Sequence, residues 1–272
     1  MRYPIVLSIA GSDCSGGAGI QADIKTLSAL GCYAATAVTA VTVQNTCGVQ
    51  QVYPVPPDIV RGQIQAVSED LGIDVVKIGM VTGAGIISVI ADFLEASRVT
   101  AVFDPVLVSS SGYPLVEPDA LELLRKRLMP LCALVTPNIP ETELLSGCPI
   151  RTPGDRKEAG RRILAEGARA VLVKGGHLEG NDMADLLLTR TAPGGEYSYH
   201  SPKIETPNTH GTGCTLSSAI AAYMAQGRPL PEAVGQAKKY LTEALIAGKD
   251  ARIGKGHGPL NHFFNPKKLL VR

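Results

Sequence analysis

The stretch NTHGTGCTLSSAIAA, Asn208 to Ala222, reads as a loop that turns into a helix. Gly211 and Gly213 flank Thr212, and Cys214 follows at once. The first N–H groups of a helix lack partners within it, and the peptide dipoles add partial positive charge. Glycines let the main chain approach an anion closely. Gly211, Thr212, Gly213 and Cys214 therefore form a candidate phosphate or oxyanion site. The plain alternative is a glycine-rich turn with Thr209 or Thr212 as helix cap. A thiol at a helix start has a lowered pKa, which makes Cys214 a candidate thiolate beside that anion.

Other residues add to this chemistry. Asn138 and Glu141 form N-x-x-E, one turn apart on one face of a nascent helix. Their oxygens suit magnesium, directly or through water, and Asp104 at a neighbouring strand end can join them. Asn138 before a helix is equally an ordinary cap. Lys174 follows a strand and precedes two glycines. From there it can reach phosphates as a mobile point charge, or it is a surface lysine in a turn.

Standard nucleotide loops are absent. A Walker loop needs G-x-x-x-x-G-K-[ST]. Gly248-Lys249-Asp250 and Gly254-Lys255-Gly256 lack the hydroxyl, and GSDCSGGAG near Gly11 lacks the lysine. GGAGIQAD, from Gly16, opens a helix after a strand but does not space its glycines as G-x-G-x-x-G.

The elements that must position these groups alternate along the chain. Short runs at 5–10, 34–43, 75–78, 101–103, 133–135 and 171–173 are apolar nearly throughout, as strands covered on both faces are. Amphipathic stretches at 19–30, 58–71, 85–96, 118–128, 141–145 and 156–166 lie between them. Gly31, Gly72, Gly147 and Gly167 sit just past four helix ends, where a left-handed residue is wanted. Residues 186–189 and 197–200 read as an antiparallel pair joined through Pro193-Gly194-Gly195. Helical stretches 215–226 and 231–247 close the chain. The alternation predicts an α/β fold: one mostly parallel sheet with helices on both faces, in one domain over 1–272. In such sheets ligands bind beyond the carboxyl ends of the strands. Those ends read Gly11-Ser12-Asp13, Gln44-Asn45, Gly79-Met80, Asp104-Pro105-Val106, Thr136-Pro137-Asn138 and Lys174-Gly175-Gly176-His177.

Composition narrows the function classes. The 272 residues carry a net charge of +1, which offers nothing for nucleic acid or an anionic membrane. No apolar run approaches the roughly 18–20 residues needed to span a bilayer. Six dispersed cysteines without CxxC suggest reduced thiols and a cytoplasmic setting. Without tryptophan and with four phenylalanines, extensive aromatic stacking is not expected.

The anion loop resembles the signature of the ribokinase-like superfamily, where a glycine-rich anion hole leads into a helix and ends in an aspartate base. Here that last position is Cys214, which marks the branch of hydroxymethylpyrimidine and hydroxymethylpyrimidine-phosphate kinases of thiamin biosynthesis. The resemblance runs nearly end to end: IAGSDCSGGAGIQADIKT, TAVTVQNT, KIGM, DPV, TPNIPE, VKGGH, HGTGCTLSSAIAA and AKKY occur in that order.

The resemblance implies a ribokinase-like fold, ATP and Mg2+ as cofactors, a homodimer, and room for a monovalent cation whose identity is open. The N–H groups of Gly211 to Cys214 would hold the γ-phosphate charge, with Cys214 as base or positioning group. Asp104, Asn138 and Glu141 would form the magnesium–phosphate site. Lys174 and Lys238 would flank ATP, although an exposed helix lysine is the plain reading of Lys238. Gln44 would hydrogen-bond the aminopyrimidine, for which a carboxamide is suited. Gly11 and Ala18 would supply close main chain, Asp23 a polar contact, and Met80 and Val106 apolar walls. Two departures touch the pocket: Thr42 where an apolar wall is expected, and Cys14 where the family usually has proline. The role of His210 is open. Residues 109–114 are a candidate lid by their Ser and Gly content.

Competing readings are a pyridoxal kinase or dual activity, a non-catalytic nucleotide- or vitamin-binding protein, and an oxidoreductase. The glycine spacing speaks against the last. Sugar kinases of the superfamily would carry aspartate in place of Cys214.

Overall fold

The computed structural model describes residues 2–107, 115–175, 182–190 and 195–271. Its strands are β1 (Ile5–Asp13), β2 (Tyr33–Asn45), β3 (Gly48–Pro54), β4 (Val75–Ile78), β5 (Thr100–Phe103), β6 (Leu134–Val135), β7 (Ala170–Val173), β8 (Asp182–Thr189) and β9 (Glu196–Pro202). They form one sheet in the order β3-β2-β1-β4-β5-β6-β7-β8-β9. The six strands from β2 to β7 run parallel. β3 folds back antiparallel on β2, and β8 and β9 add the expected antiparallel pair at the other edge. Residues 193 and 194 of the connection between β8 and β9 lie outside the described residues.

Every position of β4 and β7 is buried, as covered faces require. Alternate strand residues enter opposite cores. Leu7, Ile9, Val76, Ile78 and Phe103 pack on one side with Ile64, Ile87, Ile90 and Ile163. Val6, Val75, Val102 and Leu172 pack on the other with Leu27, Ile220 and Ala237. The first group of helices is α2 (Pro57–Asp70), α3 (Ala84–Ser97), α4 (Pro118–Leu123), α5 (Ile139–Ser146) and α6 (Pro153–Ala165). The second is α1 (Gly19–Ala29), α7 (Thr212–Ala225) and α8 (Leu230–Gly248).

Three details differ from the sequence expectation. β3 has no clean alternation because a bulge between Val43 and Gln44 shifts its pairing and its faces are largely open to solvent. The stretch 118–128 is α-helical only to Leu123. It continues as a π turn over Leu124–Leu128 and a 3-10 turn over Met129–Leu131, where Pro130 offers no N–H to a helix ladder. Gly31, Gly147 and Gly167 have positive φ, but Gly72 does not, since α2 closes on Leu71 in extended backbone. Among the described residues no helix is long and apolar enough to cross a membrane.

Candidate active site

α7 starts at Thr212 with Gly211 as its N-cap, and no side chain caps it. Thr209 and Thr212 therefore do not play the capping role the sequence allowed. Gly211 is left-handed at φ 83, and a Cβ there would lie 1.9 Å from the Gly17 carbonyl oxygen. The loop of Gly17 and the start of α7 thus press main chain against main chain, with the uncapped helix end at the carboxyl edge of the sheet.

Two ion pairs flank the first turns of α7. On one side Lys77, from β4, bonds both carboxylate oxygens of Asp23, from α1, at 2.9 Å. Both side chains are fully buried. Ser8 and Ser218 donate to the same carboxylate at 2.6 and 2.7 Å. On the other side Lys174 bonds Asp104 at 2.8 Å, and Thr136 and Ser217 donate to Asp104 at 3.1 and 3.3 Å. A Cβ added at Gly213 would lie 3.4 Å from both Asp104 Oδ2 and Lys174 Nζ. Each pair thus takes one serine from α7, a turn beyond Gly213 or Cys214. Burial alone would raise the Asp104 pKa, but the charges of Lys174 and Lys77 carry it below the usual carboxylate range.

Cys214 sits where two helix starts meet, with its thiol against the N–H of Gly19 at the head of α1. The thiolate expected from helix position is not what this environment favours. Burial raises the thiol and the Lys77 charge lowers it. Asp23 and Asp104 raise it again, and the Gly19 N–H lowers it, leaving the thiol pushed up to about 11. Two nearby carboxylates and lost hydration outweigh the helix end, so Cys214 is a thiol at neutral pH.

Asp13, at the end of β1, organises the loop Gly11 to Ala18. Its carboxylate accepts from the N–H groups of Ser15, Gly17 and Ala18 and from the Ser15 hydroxyl. It also bonds His210 Nε2 at 2.8 Å. Burial would raise its pKa, but these bonds hold it well below the usual carboxylate range. His210 Nε2 is also 3.3 Å from Gln44 Nε2, which links the anion loop to the end of β2. The Thr42 hydroxyl donates to the Ser12 carbonyl at 2.9 Å and lies 3.2 Å from Gln44 Oε1. Its one proton is therefore spent on the Ser12 carbonyl, and the hydroxyl lies beside Gln44 Oε1 without donating to it. The Cys14 thiol meets the Gln44 carbonyl at 3.0 Å. Met80 and Val106 join Ala40, Val52 and Leu115 in a small apolar cluster. Gly11 lies where Met80 crosses, since a Cβ there would be 2.3 Å from Met80 Cε.

The uncapped start of α7, flanked by the Asp104–Lys174 and Asp23–Lys77 pairs, invites comparison with known proteins. The profile of the family described as phosphomethylpyrimidine kinase matches residues 13–261. The chain belongs to the phosphomethylpyrimidine kinase family. It is 48% identical over 259 residues to a hydroxymethylpyrimidine/phosphomethylpyrimidine kinase of Salmonella typhimurium, covering 94% of this chain and 96% of that one. It is also 48% identical over 268 residues to a thiamine biosynthesis bifunctional protein of Geobacter sulfurreducens; this spans 98% of the chain but 54% of that longer protein. A pyridoxal kinase of Staphylococcus aureus, solved with AMP-PCP and pyridoxal, superposes with a TM-score of 0.87 at 33% identity, covering 98% of this chain and 97% of that one.

Within this phosphomethylpyrimidine kinase fold, other expected site residues need correction. Asp23 is not a substrate contact: it is wholly buried, and its oxygens serve Lys77, Ser8 and Ser218. Asn138 and Glu141 do not present free oxygens side by side. They form a reciprocal capping box on α5, with bonds of 2.8 and 2.9 Å. Burial raises the Glu141 pKa, the Lys174 charge lowers it and Asp104 raises it, leaving it near 7. Among the described residues no three His, Cys, Asp or Glu side chains converge on a ready metal site. Lys238 is not an exposed helix lysine. It bonds Asp185 at 2.6 Å, and the same carboxylate accepts from the Gly175 N–H at 2.8 Å. Lys238 therefore braces the main chain at Gly175, next to Lys174. The candidate lid 109–114 and the rim residues Gly176 and His177 lie outside the described residues.

Sequence reasoning placed Asp13 on the rim without a role, and missed Lys77, Ser217, Ser218 and Asp185. A lysine inside the apolar run VVKI was itself a signal, because a buried ammonium needs a partner. The serine pair one turn beyond Gly213-Cys214 was another.

His262, behind α7, carries a prediction about pH. Its Nε2 lies 3.0 Å from the Thr215 hydroxyl, and both groups are buried. Burial, then the Lys25 charge, lower its pKa from 6.5 to about 4. The unfolded chain then binds more protons between those values, so stability falls as pH drops through that window. The expected loss is about 2 kcal/mol at pH 5 relative to pH 7.5. His262→Gln should abolish this part of the acid sensitivity in urea titrations at the two pH values. Equal losses in both proteins would disprove it.

Proposed function

We propose that this protein is an ATP-dependent kinase of thiamin biosynthesis. It phosphorylates 4-amino-5-hydroxymethyl-2-methylpyrimidine and then its monophosphate, giving the pyrophosphate. The observation that carries this reading is the uncapped start of α7 at Gly211, set between the Asp104–Lys174 pair and Cys214. Family membership and the nucleotide analogue in the Staphylococcus structure support it.

The hydroxymethyl oxygen attacks the γ-phosphorus of ATP, the bond to the β,γ-bridging oxygen breaks, ADP leaves, and the hydroxyl proton passes to an oxygen of the transferred phosphoryl group. Phosphoryl transfer through a loose transition state depends mainly on positioning and charge stabilisation. The N–H groups of the Gly211–Cys214 turn and the Lys174 ammonium meet the charge on the moving phosphoryl group. Cys214, as a thiol, orients the attacking hydroxyl, and little base help is needed before the new bond forms. Gln44 reads the aminopyrimidine edge, while Met80 and Val106 wall the ring. Gly11 and Ala18 bring main chain close. Lys238 acts through Asp185 on Gly175, beside Lys174, rather than on ATP itself.

Asp104 and Glu141 offer the hard oxygens that magnesium takes, and a cation would relieve the raised proton affinity of Glu141. They would hold the ion through water together with the nucleotide phosphates, whose charge it neutralises, while Asn138 fixes Glu141. Six cysteines outside any disulfide support a cytoplasmic enzyme. Val41 and Tyr53, paired across β2 and β3, are exposed, as is Val43, which supports a homodimer.

The test is turnover with ATP of the pyrimidine, its monophosphate and pyridoxal, side by side, for wild type and Cys214→Ala. Both pyrimidines should react, and Cys214→Ala should lower kcat about 10²-fold. Turnover of pyridoxal alone would move the substrate to the second reading, which the Staphylococcus likeness favours. ATP binding without any turnover would favour a non-catalytic protein.

A further inference from the structure

The two lysine-containing glycine runs that fail as nucleotide loops lie at and just beyond the end of α8. The chain from there runs against Thr46, Asn208 and His210. Three of its N–H groups converge on one residue. Thr46 Oγ1 accepts from Lys255 and Gly256 at 3.2 and 3.1 Å, and the Thr46 carbonyl accepts from His257 at 2.9 Å. Glycine at alternate positions makes this approach possible. A Cβ at Gly254 would lie 2.3 Å from the Thr46 hydroxyl, and one at Gly256 would lie 2.1 Å from its carbonyl oxygen. At Gly258 it would lie 2.2 Å from Asn208 Oδ1.

The far end of this segment is tied to the anion loop. The His210 N–H bonds the Gly258 carbonyl at 3.1 Å. Asn208 Nδ2 bonds the carbonyls of Gly248 and Ala251 at 2.8 and 2.6 Å. Beyond it, Lys267 and Leu270 N–H groups bond the carbonyls of Ala29 and Gly31. The segment is therefore anchored at both ends. Thr46 stands two residues after Gln44, and His210 one residue before Gly211. So the pyrimidine wall and the phosphate wall, far apart in the chain, are joined by this stretch of main chain as well as by the His210–Gln44 contact.

We propose that residues 252–258 form a strap that sets the spacing between the Gln44 wall and the anion loop, with Thr46 as the positioning residue that grips it. This rests on the reading of Gln44 as the contact to the pyrimidine ring. The hydroxyl of Thr46 never touches substrate. It fixes where Gln44 stands relative to Gly211, and so governs pyrimidine binding more than nucleotide binding.

The experiment measures KM for hydroxymethylpyrimidine and for ATP, kcat and thermal melting in Thr46→Val, Thr46→Ser, Gly256→Ala and Gln44→Ala. Thr46→Val keeps the shape and removes the acceptor. It should raise the pyrimidine KM about tenfold while kcat and ATP KM stay within about twofold. Thr46→Ser should restore the wild-type value, and Gly256→Ala should behave like Thr46→Val. An unchanged pyrimidine KM in Thr46→Val, with Gln44→Ala impaired, overturns the strap and spares the site. Failure of serine to rescue, with ATP KM and melting temperature shifting in parallel, also overturns it, because the contact is then merely structural. If Gln44→Ala itself leaves the pyrimidine KM unchanged, the site reading fails and the strap proposal falls with it.

Discussion

Lys77→Met is expected to destabilise the protein by about 3–5 kcal/mol, the usual cost of stripping one partner from a buried ion pair. Lys77 and Asp23 are both fully buried, so the carboxylate left behind cannot recover water. Its remaining bonds come from the Ser8 and Ser218 hydroxyls, which satisfy its oxygens but not its charge. Burial would push the Lys77 ammonium down, yet the Asp23 and Asp104 carboxylates help carry it above the ordinary lysine range. The Lys77 ammonium therefore stays charged across the working pH range. Urea unfolding of Lys77→Met, Asp23→Asn and the double variant tests this. The double variant should recover a large part of the loss, since it removes both charges, and the cycle should show a strong coupling. A single-variant loss below about 1 kcal/mol would show that the pair is not the brace between α1, β4 and α7 that its geometry implies.

Gly211→Ala is expected to lower kcat by about 10²–10³-fold, the effect of losing a preorganised oxyanion donor. The residue is left-handed, and its added carbon would lie 1.9 Å from the Gly17 carbonyl oxygen. Main chain cannot swing aside as a side chain can, so the start of α7 must back away from the loop held by Asp13. The N–H groups of that turn then miss the phosphoryl group. Gly147→Ala supplies the control. Gly147 is also left-handed, at φ 69, but has nothing within 4 Å of an added Cβ. It should lose about 1 kcal/mol of stability through backbone strain and keep its kcat. If Gly211→Ala retains kcat within about threefold of wild type, the anion hole does not lie at this turn.

Local chemistry was readable where a short segment contains its own reason. The apolar runs of β4 and β7 announce strands covered on both faces. The glycines around Thr212 announce a helix start with free N–H groups. The likeness of eight motifs in one order led to the family that the profile match bears out. β3 stayed hidden because a bulge breaks its alternation and its faces are largely open to solvent. The cap on α5 was legible as an alternative at Asn138, but nothing local could choose it over a metal role.

What the sequence by itself determined is the layered α/β order, the rim of strand ends, and the glycine turn that presents main-chain N–H groups. Only the tertiary structure decided the charges around that turn. It buried Asp23 against Lys77, placed Lys174 on Asp104, and turned Lys238 toward Asp185. It also set Cys214 among two carboxylates, which reversed the expected direction of its pKa. The physical reason is that burial and long-range partners control ionisation. Those partners come from elements far apart in the chain, whereas a helix end or a glycine turn needs its neighbours alone.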